Sequence, residues 1–154
     1  MKSCRELPEK LSIDSSVAIA YLLGERLSDA AECVLFSDRQ LYMAETALAE
    51  IYYVTCRLRG AETARRLVAA IREVGLEPPP RGIHEKAGEI KCRRAISLAD
   101  SYVIALAELV GGAAVFARRE RGLVREAEER RFNVEIVFLE DLLPRGRGGV
   151  RADK

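Results

Sequence analysis

Three acidic residues lie in apolar surroundings, where an isolated carboxylate is costly. Asp14 follows the apolar residue Ile13, Glu50 lies within the run TALAEIYYV, and Asp100 lies near the start of SLADSYVIALAELV. A buried acid is unfavourable unless it is paired, protonated or bound to a cation. Carboxylates gathered in one pocket repel one another, so such a pocket is most stable around a cation. Oxygen ligands favour Mg²⁺ or Mn²⁺ over zinc, and such ions promote phosphodiester hydrolysis.

Each acid also has a simpler structural interpretation. Ser97, three residues before Asp100, gives a capping-box pattern, and an Asp between a strand and a helix, such as Asp14, is a good N-cap. Glu50 in mid-helix could be a solvated gap in the apolar pattern. Its nearest intrahelical cation candidate, Arg57, is two turns away and too far for a simple pair. The metal-site hypothesis therefore depends on the observation that all three acids lie in apolar surroundings.

Short apolar strands alternate with helices along the chain. This order predicts a parallel sheet covered on both faces, with the apolar helix 98–110 buried at its centre. Residues 76–82 contain three prolines and are either an edge strand or an extended connector. Ligands collect at the carboxyl ends of such strands. Asp14 lies at one predicted end, and the residues just after Phe116 lie at another. Apart from residues 76–82, the predicted strands are residues 10–13, 40–44, 113–116 and 134–138.

Composition sets further bounds. The 154 residues suit one domain, and a net charge of +1 gives no global field directed at nucleic acid. The N-terminal sequence has no signal-like apolar core and no run long enough for a membrane span, which predicts a cytoplasmic protein. Abundant Arg with few Asn or Gln points to an archaeal or thermophilic source. The four scattered cysteines argue against zinc and favour reduced thiols, with an internal disulfide left open for a hyperthermophile.

Three segments also match a known family in order and spacing. They are SIDSSVAIAYLLGE at residues 12–25, ETALAEIYYV at 45–54 and ISLADSYVIALA at 96–107. Together they resemble PIN-domain ribonucleases, in particular the VapC-type toxins of prokaryotic toxin–antitoxin pairs. The resemblance implies a three-layer α/β/α PIN-like fold with a roughly five-stranded parallel sheet over residues 10–143. Outside this range, composition predicts a polar lead-in at residues 1–9 and a basic, Gly- and Arg-rich disordered tail at residues 144–154.

The resemblance also implies a function. Asp14, Glu50 and Asp100 would hold Mg²⁺ or Mn²⁺ in an endoribonuclease that acts as a toxin. Partners would be the RNA substrate, a second copy in a homodimer, and an antitoxin whose segment lies across the active-site groove. Ser15 and Ser16 could contact substrate phosphate through amides at the helix start, or simply cap that helix.

One segment departs from the family pattern. Where the family usually places a hydroxyl, a small residue and an acid, this chain has Phe116, Ala117 and Arg118. Glu120 could replace the fourth acid, or could cap the following helix. Arg118 could contact substrate phosphate, or could imitate an antitoxin arginine and weaken activity. The alternative to a nuclease is therefore a catalytically inert PIN domain that binds RNA or a partner protein.

Overall fold

The sheet has four parallel strands in the computed structural model, which describes residues 2–24 and 26–142. The strands are β1 (Lys10–Ile13), β2 (Gln40–Tyr42), β3 (Ala113–Phe116) and β4 (Ile136–Phe138). Their spatial order is β2-β1-β3-β4, so β1 and β3 are central. The helices are α1 (Ser15–Leu23), α2 (Ser28–Leu35), α3 (Glu45–Arg59), α4 (Ala61–Glu73), α5 (Ile83–Arg93), α6 (Leu98–Val110) and α7 (Arg121–Glu129), with 3₁₀ turns η1 (Cys4–Glu6) and η2 (Leu139–Asp141).

The predicted α/β class is confirmed, but the strand count needs a correction. In the described part of the chain the proline-containing segment forms no fifth strand. Leu76 makes a single parallel bridge to Leu41, and the Glu77 amide donates to the Leu41 carbonyl at 2.8 Å. The next three residues are prolines, which lack the N–H groups that a longer ladder needs. The connector interpretation therefore holds, with one bridge at the β2 edge.

The sheet is covered on both faces because successive strand residues point in opposite directions. On β3, Val115 packs in the cluster that holds α1 to α4, whereas Phe116 packs in the cluster that holds α5 to α7. Both residues are buried, which explains why the strands read as continuous apolar runs. Ser12 is a polar exception on β1, and its buried hydroxyl donates to the Val103 carbonyl of α6 at 2.7 Å.

Helix α6 is the buried central helix that its sequence predicts. Four successive residues of this helix, Ile104 to Ala107, are fully inaccessible to solvent. The Ser97 hydroxyl caps its N-terminus by accepting from the Asp100 amide at 3.0 Å. At the other end Gly111 has φ 69°, a left-handed conformation that suits glycine at a helix C-terminus. The two caps fix where the helix begins and ends, and hence where Asp100 stands.

The N-terminal lead-in is anchored to the fold. Cys4 forms a disulfide with Cys33 of α2, and Leu7 is buried in the core. Lys2 forms an isolated bridge with Leu142. Reduced thiols are thus the wrong expectation for Cys4 and Cys33, while Cys56 and Cys92 are free. The predicted tail, residues 144–154, lies outside the described residues. None of the described helices is long and apolar enough to cross a membrane.

Candidate active site

A pocket of about 330 Å³ lies at the carboxyl ends of β1 and β3. These neighbouring central strands send the chain to opposite sides of the sheet, and such a switch point is where α/β folds bind ligands. The pocket combines the turn after β1, the loop after β3 and one face each of α1, α3 and α6. Its lining includes all seven predicted site residues: Asp14, Ser15, Ser16, Glu50, Asp100, Arg118 and Glu120.

Asp14 is fixed at the junction of the two central strands. Its amide donates to the Val115 carbonyl at 2.9 Å, and its carboxylate accepts from the Ser16 amide at 3.1 Å and from the Ser16 hydroxyl. The side chain therefore caps α1, as the simpler interpretation held, and lines the pocket as well. Only 8% of Asp14 is exposed. This burial raises its pKa, while the hydrogen bonds from Ser16 act in the opposite direction.

Glu50 reaches the same pocket from the first half of α3. The Ser15 hydroxyl donates to Glu50 Oε2 at 3.5 Å, which links α3 to the start of α1. Burial raises the pKa of Glu50, and the negative charges of Asp14 and Glu120 raise it further. Glu50 is thus partly buried and lies within the field of two other acids.

Asp100 enters the pocket from the first turn of α6. Burial raises the pKa of its carboxyl from 3.8 to about 6, and the charges of Asp14, Glu120 and Glu50 add to the shift. The hydrogen bond with Ser97 lowers the pKa of Asp100, but by less than burial and the three negative charges raise it. Asp100 therefore donates its backbone amide to the Ser97 cap, while its carboxylate lines the pocket.

Glu120 occupies the N-cap position of α7 but makes no side-chain capping hydrogen bond. Its charge instead raises the pKa values of Glu50 and Asp100, and it lines the pocket beside Arg118. Phe116, at the position where a hydroxyl is usual, is buried and packs against Phe138 with ring centroids 6.2 Å apart. The geometry thus places Glu120 with the other three acids.

Ser15 and Ser16 make internal contacts in the pocket. Ser16 uses both its amide and its hydroxyl on Asp14, and the same hydroxyl accepts from the Ala117 amide at 3.0 Å. Ser15 donates to Glu50. The Ser16 amide is thus engaged by Asp14 in this structure and is not open to a phosphate. A role of these serines in substrate binding remains a prediction.

The pocket has the donor chemistry of a site for a hard cation. Its ionisable lining consists of four carboxylates and Arg118, with no histidine or cysteine. In the described residues, however, no three His, Cys, Asp or Glu side chains form a ready-made metal-binding group. The residues fit Mg²⁺ or Mn²⁺ by ligand type and by their mutual repulsion, which a cation would relieve.

Sequence reasoning missed Glu140. Its carboxylate accepts from the Arg119 amide at 2.6 Å, in the loop that follows β3. The two residues are 21 positions apart and meet because β3 and β4 are adjacent parallel strands. Nothing in the local pattern around Glu140 signals this contact.

These features define an α/β protein with a carboxylate pocket at the switch point of a parallel sheet. The sequence profile of the PIN domain matches residues 11–134, and the chain therefore belongs to the PIN-domain family. PIN domains are generally nucleases that use divalent metal ions, and membership of the family therefore supports a hydrolase.

Two solved structures have the same fold at low sequence identity. The structure of VapBC-1 from nontypeable Haemophilus influenzae is 20% identical, with a TM-score of 0.61, and the match covers 85% of this chain and 98% of that chain. The structure of FitAcB from Neisseria gonorrhoeae is 17% identical, with a TM-score of 0.52, and the match covers 86% and 99%. A search of curated protein sequences found no match.

Proposed function

We propose that this protein is a metal-dependent endoribonuclease and the toxin of a toxin–antitoxin pair. The observation that carries the proposal is the convergence of Asp14, Glu50, Asp100 and Glu120, from four separate segments, on one pocket. Within the pocket these acids raise one another's pKa values, and a bound cation would relieve that repulsion. Membership of the PIN-domain family adds support for a nuclease.

Each pocket residue has a proposed task. Asp14, Glu50 and Asp100 would hold Mg²⁺ or Mn²⁺, and Glu120 would serve as the fourth acid. When bound, the cation would supply an activated water and stabilise negative charge on the phosphodiester. Arg118 would orient the substrate, since a guanidinium donates paired hydrogen bonds to phosphate oxygens. Ser15 and Ser16 would contribute to substrate binding near the start of α1.

The proposed partners are RNA, a second copy of the chain and an antitoxin protein, all in the cytoplasm. The two structural neighbours, VapBC-1 and FitAcB, support the antitoxin.

The first test is cleavage of a panel of structured RNAs by the purified, antitoxin-free protein. We expect cleavage with Mn²⁺ and none with EDTA, and a loss of at least about 100-fold in Asp100→Asn. Asp29→Asn is the matched control, because Asp29 also lies in the first turn of a helix but outside the pocket. Absence of both cleavage and Mn²⁺ binding in the wild type would refute the nuclease.

The second candidate function is an inert PIN domain that binds RNA or a partner protein. Arg118 favours the inert function, because the family usually has an acid at this position. The presence of Glu120 in the pocket argues against the inert function. RNA binding without cleavage in the same assay, at any Mn²⁺ concentration, would support this second function.

A further inference from the structure

Residues 117–120 form the loop between β3 and α7, and two of them, Arg118 and Glu120, line the acidic pocket. The loop could place these two side chains in many ways, since it belongs to neither a helix nor a strand. Its position is set instead by hydrogen bonds from two directions, which involve the other two residues of the loop, Ala117 and Arg119.

The first contact comes from the start of α1. The Ser16 hydroxyl accepts from the Ala117 amide at 3.0 Å and itself donates to Asp14. One hydroxyl therefore joins the carboxylate that follows β1 to the loop that follows β3. Loss of this hydroxyl would remove one hydrogen bond from the Asp14 carboxylate and one from the loop.

The second contact comes from η2, the 3₁₀ turn after β4. The Glu140 carboxylate accepts from the Arg119 amide at 2.6 Å, and the Glu140 amide donates to the Ala117 carbonyl at 3.4 Å. The Arg119 guanidinium also donates to Asp141 at 2.6 and 3.2 Å. Because that ion pair is largely exposed, we assign it little energy. The Glu140 contact is also exposed, but it holds the backbone of the loop directly and not through a long side chain.

We propose that Ser16 and Glu140 form a two-sided clamp on residues 117–120, and that both are positioning residues that hold Arg118 and Glu120 at the pocket. The clamp explains how a chain with Arg118 in the usual place of an acid still presents Glu120, two residues later, to the acid cluster. The consequence for RNA cleavage rests on the proposed nuclease function. The clamp itself depends only on the contacts of Ala117 and Arg119.

The test compares side-chain removal with conservative replacement. Glu140→Ala and Ser16→Ala remove the two acceptors, whereas Glu140→Gln and Ser16→Thr retain an oxygen that can accept the same amide proton. Ser37→Ala is the control for Ser16, because the Ser37 hydroxyl also donates once and accepts once, to Val34 and from Arg39, outside the pocket. Glu32→Ala, at an exposed position on α2, is the control for Glu140.

The first readout is amide hydrogen exchange of the full chain without metal or RNA. We expect Arg119 to exchange about tenfold faster in Glu140→Ala and Ala117 to do so in Ser16→Ala, with both rates restored in the conservative variants and unchanged in the controls. If exchange at Ala117 and Arg119 is the same in the wild type and in the alanine variants, the clamp does not exist.

The second readout is steady-state RNA cleavage by the same samples. We expect both alanine variants to lose about 10- to 100-fold in kcat with a smaller change in KM, and the conservative variants to retain most of kcat. An equal loss in Glu140→Gln and Glu140→Ala would overturn the positioning role of Glu140. A wild type that protects these amides but never cleaves RNA would reject the nuclease and retain the clamp.

Discussion

Gly112 lies directly against the backbone of Lys10. A Cβ atom on Gly112 would come 2.2 Å from the Lys10 carbonyl oxygen and 2.8 Å from its carbonyl carbon. Lys10 begins β1, and Gly112 immediately precedes β3, the strand paired with it. The close approach therefore sits at the start of the two strands whose other ends carry Asp14 and the loop of residues 117–120. Backbone atoms provide no flexible end that could move aside for a side chain.

Gly112→Ala is expected to lower the free energy of unfolding by about 2–3 kcal/mol, because it overpacks this contact. Urea unfolding measures the change. Gly88→Ala is the matched control: it lies within α5, and an added Cβ meets no atom within 4 Å. In that variant alanine should stabilise the helix by up to about 1 kcal/mol. Equal stability of the two variants would show that the approach to Lys10 imposes no constraint.

Asp100→Asn is expected to stabilise the metal-free protein at neutral pH. The folded-state pKa of Asp100, about 6, lies above its ordinary value of 3.8. The folded state therefore binds this proton more tightly. The resulting stabilisation is complete below about pH 4 and is lost as the pH rises through 6. At pH 7.5 the asparagine variant should gain about 1–3 kcal/mol over the wild type, and near pH 4 the difference should vanish.

Urea unfolding in EDTA at several pH values between 4 and 7.5 checks this prediction, with Asp29→Asn as the control in the first turn of α2. The pKa values of Asp14 and Glu50 are raised as well, so these two acids also contribute stability that is lost as the pH rises. An asparagine variant no more stable than the wild type at pH 7.5 would contradict the raised pKa of Asp100.

Mn²⁺ should raise the thermal stability of the wild type at pH 7.5, because a cation that binds only the folded state stabilises it by mass action. At 100 times the Kd the gain is about 2.7 kcal/mol. Asp14→Asn should largely remove this gain, although asparagine can still cap α1. Calorimetry with and without Mn²⁺ measures both. The same Mn²⁺-induced shift in Asp14→Asn and wild type would remove Asp14 from the metal site.

Arg118→Ala distinguishes the two roles proposed for this arginine. If Arg118 contacts substrate phosphate, loss of a charged hydrogen bond should raise the KM for RNA about tenfold or more, with a smaller change in kcat. Arg66→Ala on the exposed side of α4 is the control for a loss of positive charge alone. A gain in cleavage on removal of Arg118 would instead indicate that the guanidinium blocks the pocket, as in the inert interpretation.

Much of the fold could be predicted because its signals are local. Strand β3 appears as a short apolar run, and α6 is apolar on nearly every face with Ser97 and Gly111 at its ends. The β2 edge of the sheet was harder to predict, because the prolines after Glu77 limit pairing to the single bridge between Leu76 and Leu41. The Cys4–Cys33 disulfide was also left open, since pairing depends on which segments meet.

The sequence by itself determined the alternation of strands and helices and the four candidate acids, because apolar periodicity and helix ends depend on near neighbours in the chain. Only the tertiary structure decided that Glu120 joins Glu50 and Asp100 electrostatically rather than capping α7 with its side chain. It also decided that Glu140 contacts Arg119. The physical reason is that such interactions depend on distances between segments, and the parallel sheet sets these by bringing the carboxyl ends of distant strands together.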